Sequence, residues 1–179
     1  MRYLLAAARA IDRVNEDCGR IAAWLVLIAC LISAGNAISR YALDLSSNAW
    51  LELQWYMFTA MVLLGAPFVL KVNEHVRVDI FYGRAQPRRR AWIDLLGLIF
   101  FLLPVIVAIM VMSWPFFVES YSHGEMSGNA GGLVRWPVKL VVPIGFGLLA
   151  LQGIAEIIKR IAYLRGLIAM DAQYEKPLQ

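Results

Sequence analysis

The sequence predicts an all-α integral membrane protein with four transmembrane helices, amphipathic interfacial helices, and both termini in the cytoplasm. Three observations carry that prediction. Of the 179 residues, 60% are hydrophobic and only 17% are charged, a balance far from that of soluble domains. Four apolar runs approach the roughly 20 residues a helix needs to cross a hydrocarbon core. Lysine and arginine divide fourteen to three between alternate connections: residues 1–20, 71–90 and 159–179 hold fourteen, against Arg40, Arg135 and Lys139. The positive-inside rule places the richer side in the cytoplasm. The pI near 9.3 follows from that distribution and gives no ground for nucleic-acid binding. Residues 1–179 read as one membrane domain.

Residues 1–20 place Leu4, Leu5, Ala8, Ile11 and Val14 at helical spacing, with Arg9, Asp12, Arg13, Glu16 and Asp17 on other faces. This fits an amphipathic helix along the membrane surface or a plain solvated leader, and lacks the form of a secretory signal. The first span is 21–38. Ala29, Ser33 and Ala37 recur at four-residue spacing and predict a close helical neighbour, and Asn36 is expected to hydrogen-bond to another helix. Cys18 and Cys30 stand about 18 Å apart along such a helix, too far for a disulfide.

The second span is 49–70, with N-cap candidates in Ser46, Ser47 and Asn48. Two readings of Glu52 stay open: favourable placement at the positive end of the helix dipole, or an interhelical or subunit contact on a face shared with Trp55 and Tyr56. Trp50, Trp55 and Tyr56 also suit an interfacial aromatic belt. Beyond it, His75 precedes Asp79 by four residues, the spacing of a helical pair, with Arg77 between them. The alternation from Val76 to Ile80 suits a strand as well. An interfacial helix is favoured, because a lone strand leaves its backbone unsatisfied near lipid. Arg88, Arg89 and Arg90 are placed to meet anionic headgroups, at roughly 1 kcal/mol each.

The third span is 91–114, with a kink expected at Pro104 and a local ion pair from Asp94 to Arg88 or Arg90. The loop 115–137 is the longest, rich in Gly, Ser and Asn, and carries Glu119, His123, Glu125 and Arg135. The fourth span is 138–158, where Lys139 is expected to snorkel outward and Gly145 and Gly147 permit tight packing. Residues 159–179 form a cytoplasmic tail.

Several chemistries lack their residues. The two histidines, His75 and His123, fall in connections on opposite sides of the membrane, which suits no haem-binding bundle. Cysteine pairs, metal clusters, phosphate loops and nucleophile elbows are missing. The span interiors read as free of charge, against a self-sufficient pump. An accessory subunit rather than an enzyme is the reading left. A subunit of a membrane redox complex and a small homo-oligomeric transporter are the alternatives.

The E-x-x-W start from Glu52 to Trp55, the core LLGAPFVL and the H-V-R-V-D of His75 to Asp79 resemble the small membrane subunit of tripartite ATP-independent periplasmic (TRAP) transporters, the DctQ-type family. The likeness runs from Ala22 to about Gly166. The stretch NAGGLVRWPVK, Asn129 to Lys139, resembles the branch labelled mannitol/chloroaromatic compound transport. The resemblance implies a bacterial inner-membrane protein partnered by lipids, a large elevator-type membrane subunit and a periplasmic binding protein, in sodium-coupled uptake of an organic acid. It implies no cofactor, substrate or sodium ligand in this chain, and sodium in the large subunit. Glu52, Trp55, His75, Arg77 and Asp79 become structural and subunit-contact residues. Glu119, Glu125 and Arg135 are candidates for touching the binding protein.

Overall fold

The computed structural model describes residues 1–45, 47–73, 82 and 85–169. The main helices are α1 (Arg2–Leu43), α2 (Asn48–Val72), α3 (Pro87–Gly97), α4 (Leu103–Ser122) and α5 (Trp136–Leu164), with a π-helical stretch, Leu98–Leu102, joining α3 to α4. Among the described residues four helical stretches are long and apolar enough to cross a membrane: α1, α2, the run Pro87–Ser122, and α5. The chain is a four-span, multi-pass membrane protein. Successive antiparallel spans bring the N-terminus, the end of α2, the start of α3 and the end of α5 together at one end of the bundle. The end of α1, the start of α2 and residues 123–135 lie at the other.

The leader and the first span are one helix. α1 runs unbroken for 42 residues, about 63 Å, so the leader is no separate element along the membrane surface. Its buried seam repeats every seven residues, Ala8, Asn15, Ala22 and Ala29. Of the predicted small-residue trio only Ala29 faces the bundle, while Ser33 and Ala37 are exposed. Seven is nearly two helical turns, whereas four-residue steps drift around the helix and leave the seam. Gly19 permits the same close approach, because a Cβ there would lie 2.8 Å from Cγ of Phe68 on α2.

Prolines shape the spans without ending them. Pro104 sits just after the π-helical stretch, whose wider turns give its ring room, so the span continues through that register change rather than breaking. Pro115 also lies inside α4, which continues to Ser122, eight residues past the predicted end at Trp114. Glu119 is therefore helical, not in a loop. Ser47 is the N-cap position of α2 with extended backbone, yet its side chain makes no capping bond.

Pro67 lacks the N–H that would bond the Leu63 carbonyl, and that carbonyl faces Gly145 on α5. A Cβ at 145 would sit 3.0 Å from Leu63 O and 2.6 Å from Leu63 Cβ. The freed acceptor is thus shielded by the close backbone of another helix. Gly145→Val is expected to force α2 and α5 apart and cost about 1–3 kcal/mol, read as a lower unfolding midpoint in detergent. Gly97→Ala, where a Cβ meets nothing within 4 Å, leaves the midpoint unchanged or raised.

Candidate functional site

Polar chemistry gathers at the two ends of the bundle, with packed apolar helices between. At the end where α1 stops and α2 starts, the loop 123–135 folds back on itself. Arg135 N donates to Glu125 O at 2.9 Å, Ser127 N to Leu133 O at 3.0 Å, and Gly132 N to Asn129 O at 3.0 Å. Gly131 takes a positive φ of 69° in the tight turn, the conformation glycine adopts without strain. The Glu52 carboxylate is the anchor of this hairpin. It accepts hydrogen bonds from Ser127 Oγ, from Asn129 Nδ2 at 2.8 Å and from Leu133 N at 2.7 Å. Glu52 is 3% exposed. Tyr56, one turn on, donates to Val134 O at 3.0 Å, and Asn48 Nδ2 donates to Ala130 O at 3.0 Å. The first two turns of α2 thus clasp the loop. Its other side is fastened by a Glu125–Lys139 ion pair, with Lys139 Nζ 3.9 Å from the centre of the Phe116 ring. The Lys139 ammonium holds the Glu125 carboxyl below its ordinary value of 4.5.

At the opposite end α1, α3 and α5 are tied by a buried polar knot. Gln152 Nε2 donates to Asp12 Oδ1 at 2.8 Å and to Glu156 Oε1 at 3.0 Å, and Gln152 Oε1 accepts from Asn15 Nδ2 at 2.7 Å. Lys159 reaches Asp12 Oδ1 at 3.0 Å and Glu156 Oε1 at 2.5 Å. Arg160 binds Glu156 and extends to Asp94 Oδ2 at 3.2 Å, which also accepts from Tyr82 OH at 3.0 Å. Asn15 and Gln152 are fully buried, and Glu156 and Arg160 are each 4% exposed. Beside the knot, Lys71 bridges α2 to Glu16 of α1 at 3.0 Å.

These placements revise several expectations. Glu52 faces inward onto its own chain's loop rather than acting through the helix dipole alone. Glu52 is buried against the loop, whereas Trp55, three residues on, is 61% exposed. Lys139 turns toward Glu125 instead of snorkelling outward. Asp94 is bound by Arg160, sixty-six residues on, a partner that a search for local pairs could not find. The fourth span is not free of charge, for Glu156 lies within it, neutralised by Lys159 and Arg160. The signal for the knot was legible in part: Gln152, Glu156 and Lys159 or Arg160 fall at helical spacing on α5. His75, Arg77 and Asp79 lie outside the described residues. Arg88 and Arg89 are exposed, whereas Arg90 is half-buried, with its Nε donating to Tyr82 O at 3.1 Å. Glu119 and Arg135 are exposed beside the loop, while Glu125 is engaged by Lys139. Cys18 and Cys30 are both free thiols.

Residues 28–162, 135 of the 179, match the family described as tripartite ATP-independent periplasmic transporters, DctQ component. The chain belongs to the DctQ family. It is a small TRAP transporter component, and the family is one of transporter components rather than enzymes. No curated protein and no solved structure matches it. The DctQ match spans the whole clasp and the α3 and α5 side of the knot, whereas Asp12 and Asn15 precede it.

Gln152→Leu strands the Asn15 amide and removes donors from two carboxylates, and each unsatisfied buried group costs about 1–3 kcal/mol. The expected result is a markedly lower unfolding midpoint, partly restored in Asn15→Leu/Gln152→Leu, where both amides are gone. At the clasp, the lowered Glu125 pKa sets the sign of a pH effect. The unfolded carboxylate protonates first, so the ion pair stabilises above the unfolded value of 4.5 and its contribution is lost as pH falls through the folded one. The midpoint gap between wild type and Glu125→Gln is expected to hold at neutral pH and close in acid below 4.5.

Proposed function

We propose that this DctQ protein is the static membrane brace of a sodium-coupled importer for an organic acid or related solute. It holds the scaffold of a large elevator-type subunit in the bacterial inner membrane, and a periplasmic binding protein delivers the solute. The family match over residues 28–162 carries the reading. The distribution of polar groups supports it. Among the described residues the knot and the clasp occupy opposite ends and bond to partners within the chain, with an apolar core of Met57, Ile106, Ala150 and their neighbours between. Such an arrangement offers an ion no stepping path across the bundle. In this reading the termini and the basic connection 73–86 face the cytoplasm, the exposed Arg88 and Arg89 meet anionic headgroups, and Trp55 and the 74–81 segment, with His75, Arg77 and Asp79, meet the large subunit. The clasped loop, with Glu119 and Arg135 beside it, is presented to the binding protein.

Reconstitution tests the proposal directly. Proteoliposomes holding this chain alone are expected to show no sodium-driven uptake, and uptake is expected only when large subunit and binding protein are added. Uptake by this chain alone would make it a self-sufficient transporter, and a haem Soret band in the purified protein would make it a redox subunit. A fluorescent reporter at the C-terminus should mature, as required by a cytoplasmic terminus.

A further inference from the structure

We propose that a groove between the loop-proximal half of α1 and the start of α2 receives a transmembrane helix of the transporter's large subunit, with Asn36 as its hydrogen-bonding contact. The proposal rests on the reading of this chain as the small subunit. The groove encloses about 590 Å³, and Leu31, Gly35, Asn36, Ser39, Ser47 and Trp50 line most of it.

Its position continues an interface the chain already uses. The α1 seam runs Ala8, Asn15, Ala22, Ala29 at seven-residue steps, and the next step is Asn36. At Asn15 the seam meets Gln152 of α5. From Gln152 toward the loop end α5 has only 16 more residues, to Trp136, whereas Asn36 lies 21 residues beyond Asn15 on α1. The seam therefore outruns α5. α2 also packs on the seam, where a Cβ at Gly65 would lie 3.6 Å from Ala22 Cβ, but at the level of Asn36 only the start of α2, with Ser47 and Trp50, remains beside it.

The groove's chemistry selects the occupant. Asn36 is half-buried and makes no hydrogen bond with any described residue, although it lies seven residues, about 10 Å, inside the end of α1. A lipid chain can fill the volume but offers that amide nothing, and an unpaired amide in hydrocarbon is costly. A helix brings backbone carbonyls and polar side chains. Gly35 beside it is an open notch, since a Cβ there would meet nothing within 4 Å. The same device at Gly145 lets α5 approach α2 closely.

The test uses this chain co-expressed with the large subunit. Asn36→Leu and Gly35→Leu are expected to weaken recovery of the large subunit roughly tenfold, with Asn36→Gln restoring part of it. Gel-filtration behaviour of the isolated chain should stay unchanged and its unfolding midpoint should not fall, since Asn36 makes no hydrogen bond with the described residues and a Cβ at Gly35 meets nothing within 4 Å. Met112→Trp, at an α4 position 76% exposed, is the control and should leave recovery intact. A photo-reactive residue at position 35 should give an adduct with the large subunit, identified by mass. Adducts only with lipid or a second copy of this chain, while the large subunit still co-purifies, would overturn the groove assignment and leave the small-subunit reading standing. A wild-type chain that recovers no large subunit would overturn both.

Discussion

The structure depends on how one buried amide is oriented. Gln152 stands between two carboxylates, Asp12 and Glu156, and an amide in that place must present its NH₂ to them. Its oxygen then faces Asn15, which must answer with its own NH₂. Each assignment forces the next, and the chain of donors continues through Lys159 and Arg160 to Asp94. Three helices are fixed in axial register by this network, whose central amides, Asn15 and Gln152, have no water to fall back on. Sliding α1 by one residue against α5 would unpair the amides and strand the charges, a far larger penalty than apolar packing imposes. Buried polar groups in coiled coils set register by the same logic.

The clasp at the other end works on a loop rather than on helices. Thirteen residues, four of them glycine, would sample many conformations, and the Glu52 carboxylate removes that freedom by binding two side chains and one backbone N–H at once. The cost of burying the carboxylate is offset because several donors converge on it. Between clasp and knot the helices meet through small residues, where association comes from close packing and not from exclusion of water. The bundle is thus tied at both ends and close-packed between them.

What the chain leaves unsatisfied is as informative as what it satisfies. Asn15 Oδ1 and Gln54 Nε2 are closed inside the bundle without a hydrogen-bond partner, whereas Asn36 sits half-buried in an open groove that a partner can enter. The surface around it is otherwise that of a lipid-facing bundle, with Trp24, Trp55, Phe101 and Met112 exposed. Those side chains need only hydrocarbon around them, whereas an amide needs a partner.

The sequence by itself determined the class of the protein. Four spans, their order, the grouping of the basic connections and the family resemblance follow from composition, from the length of apolar runs and from local motifs, because crossing a bilayer constrains each segment separately. Even the packing glycine at 145 was legible. Tertiary structure alone decided which polar groups meet. Glu52 bonds to residues 75 to 81 positions away, Asp94 to Arg160 and Asn15 to Gln152, and no spacing rule reaches across such separations. It also decided where helices end, since Pro115 and the boundary near Arg20 look like breaks in a linear reading but are carried through once neighbouring helices support them. Helical periodicity tells which residues share a face. Only the packed bundle tells what that face touches.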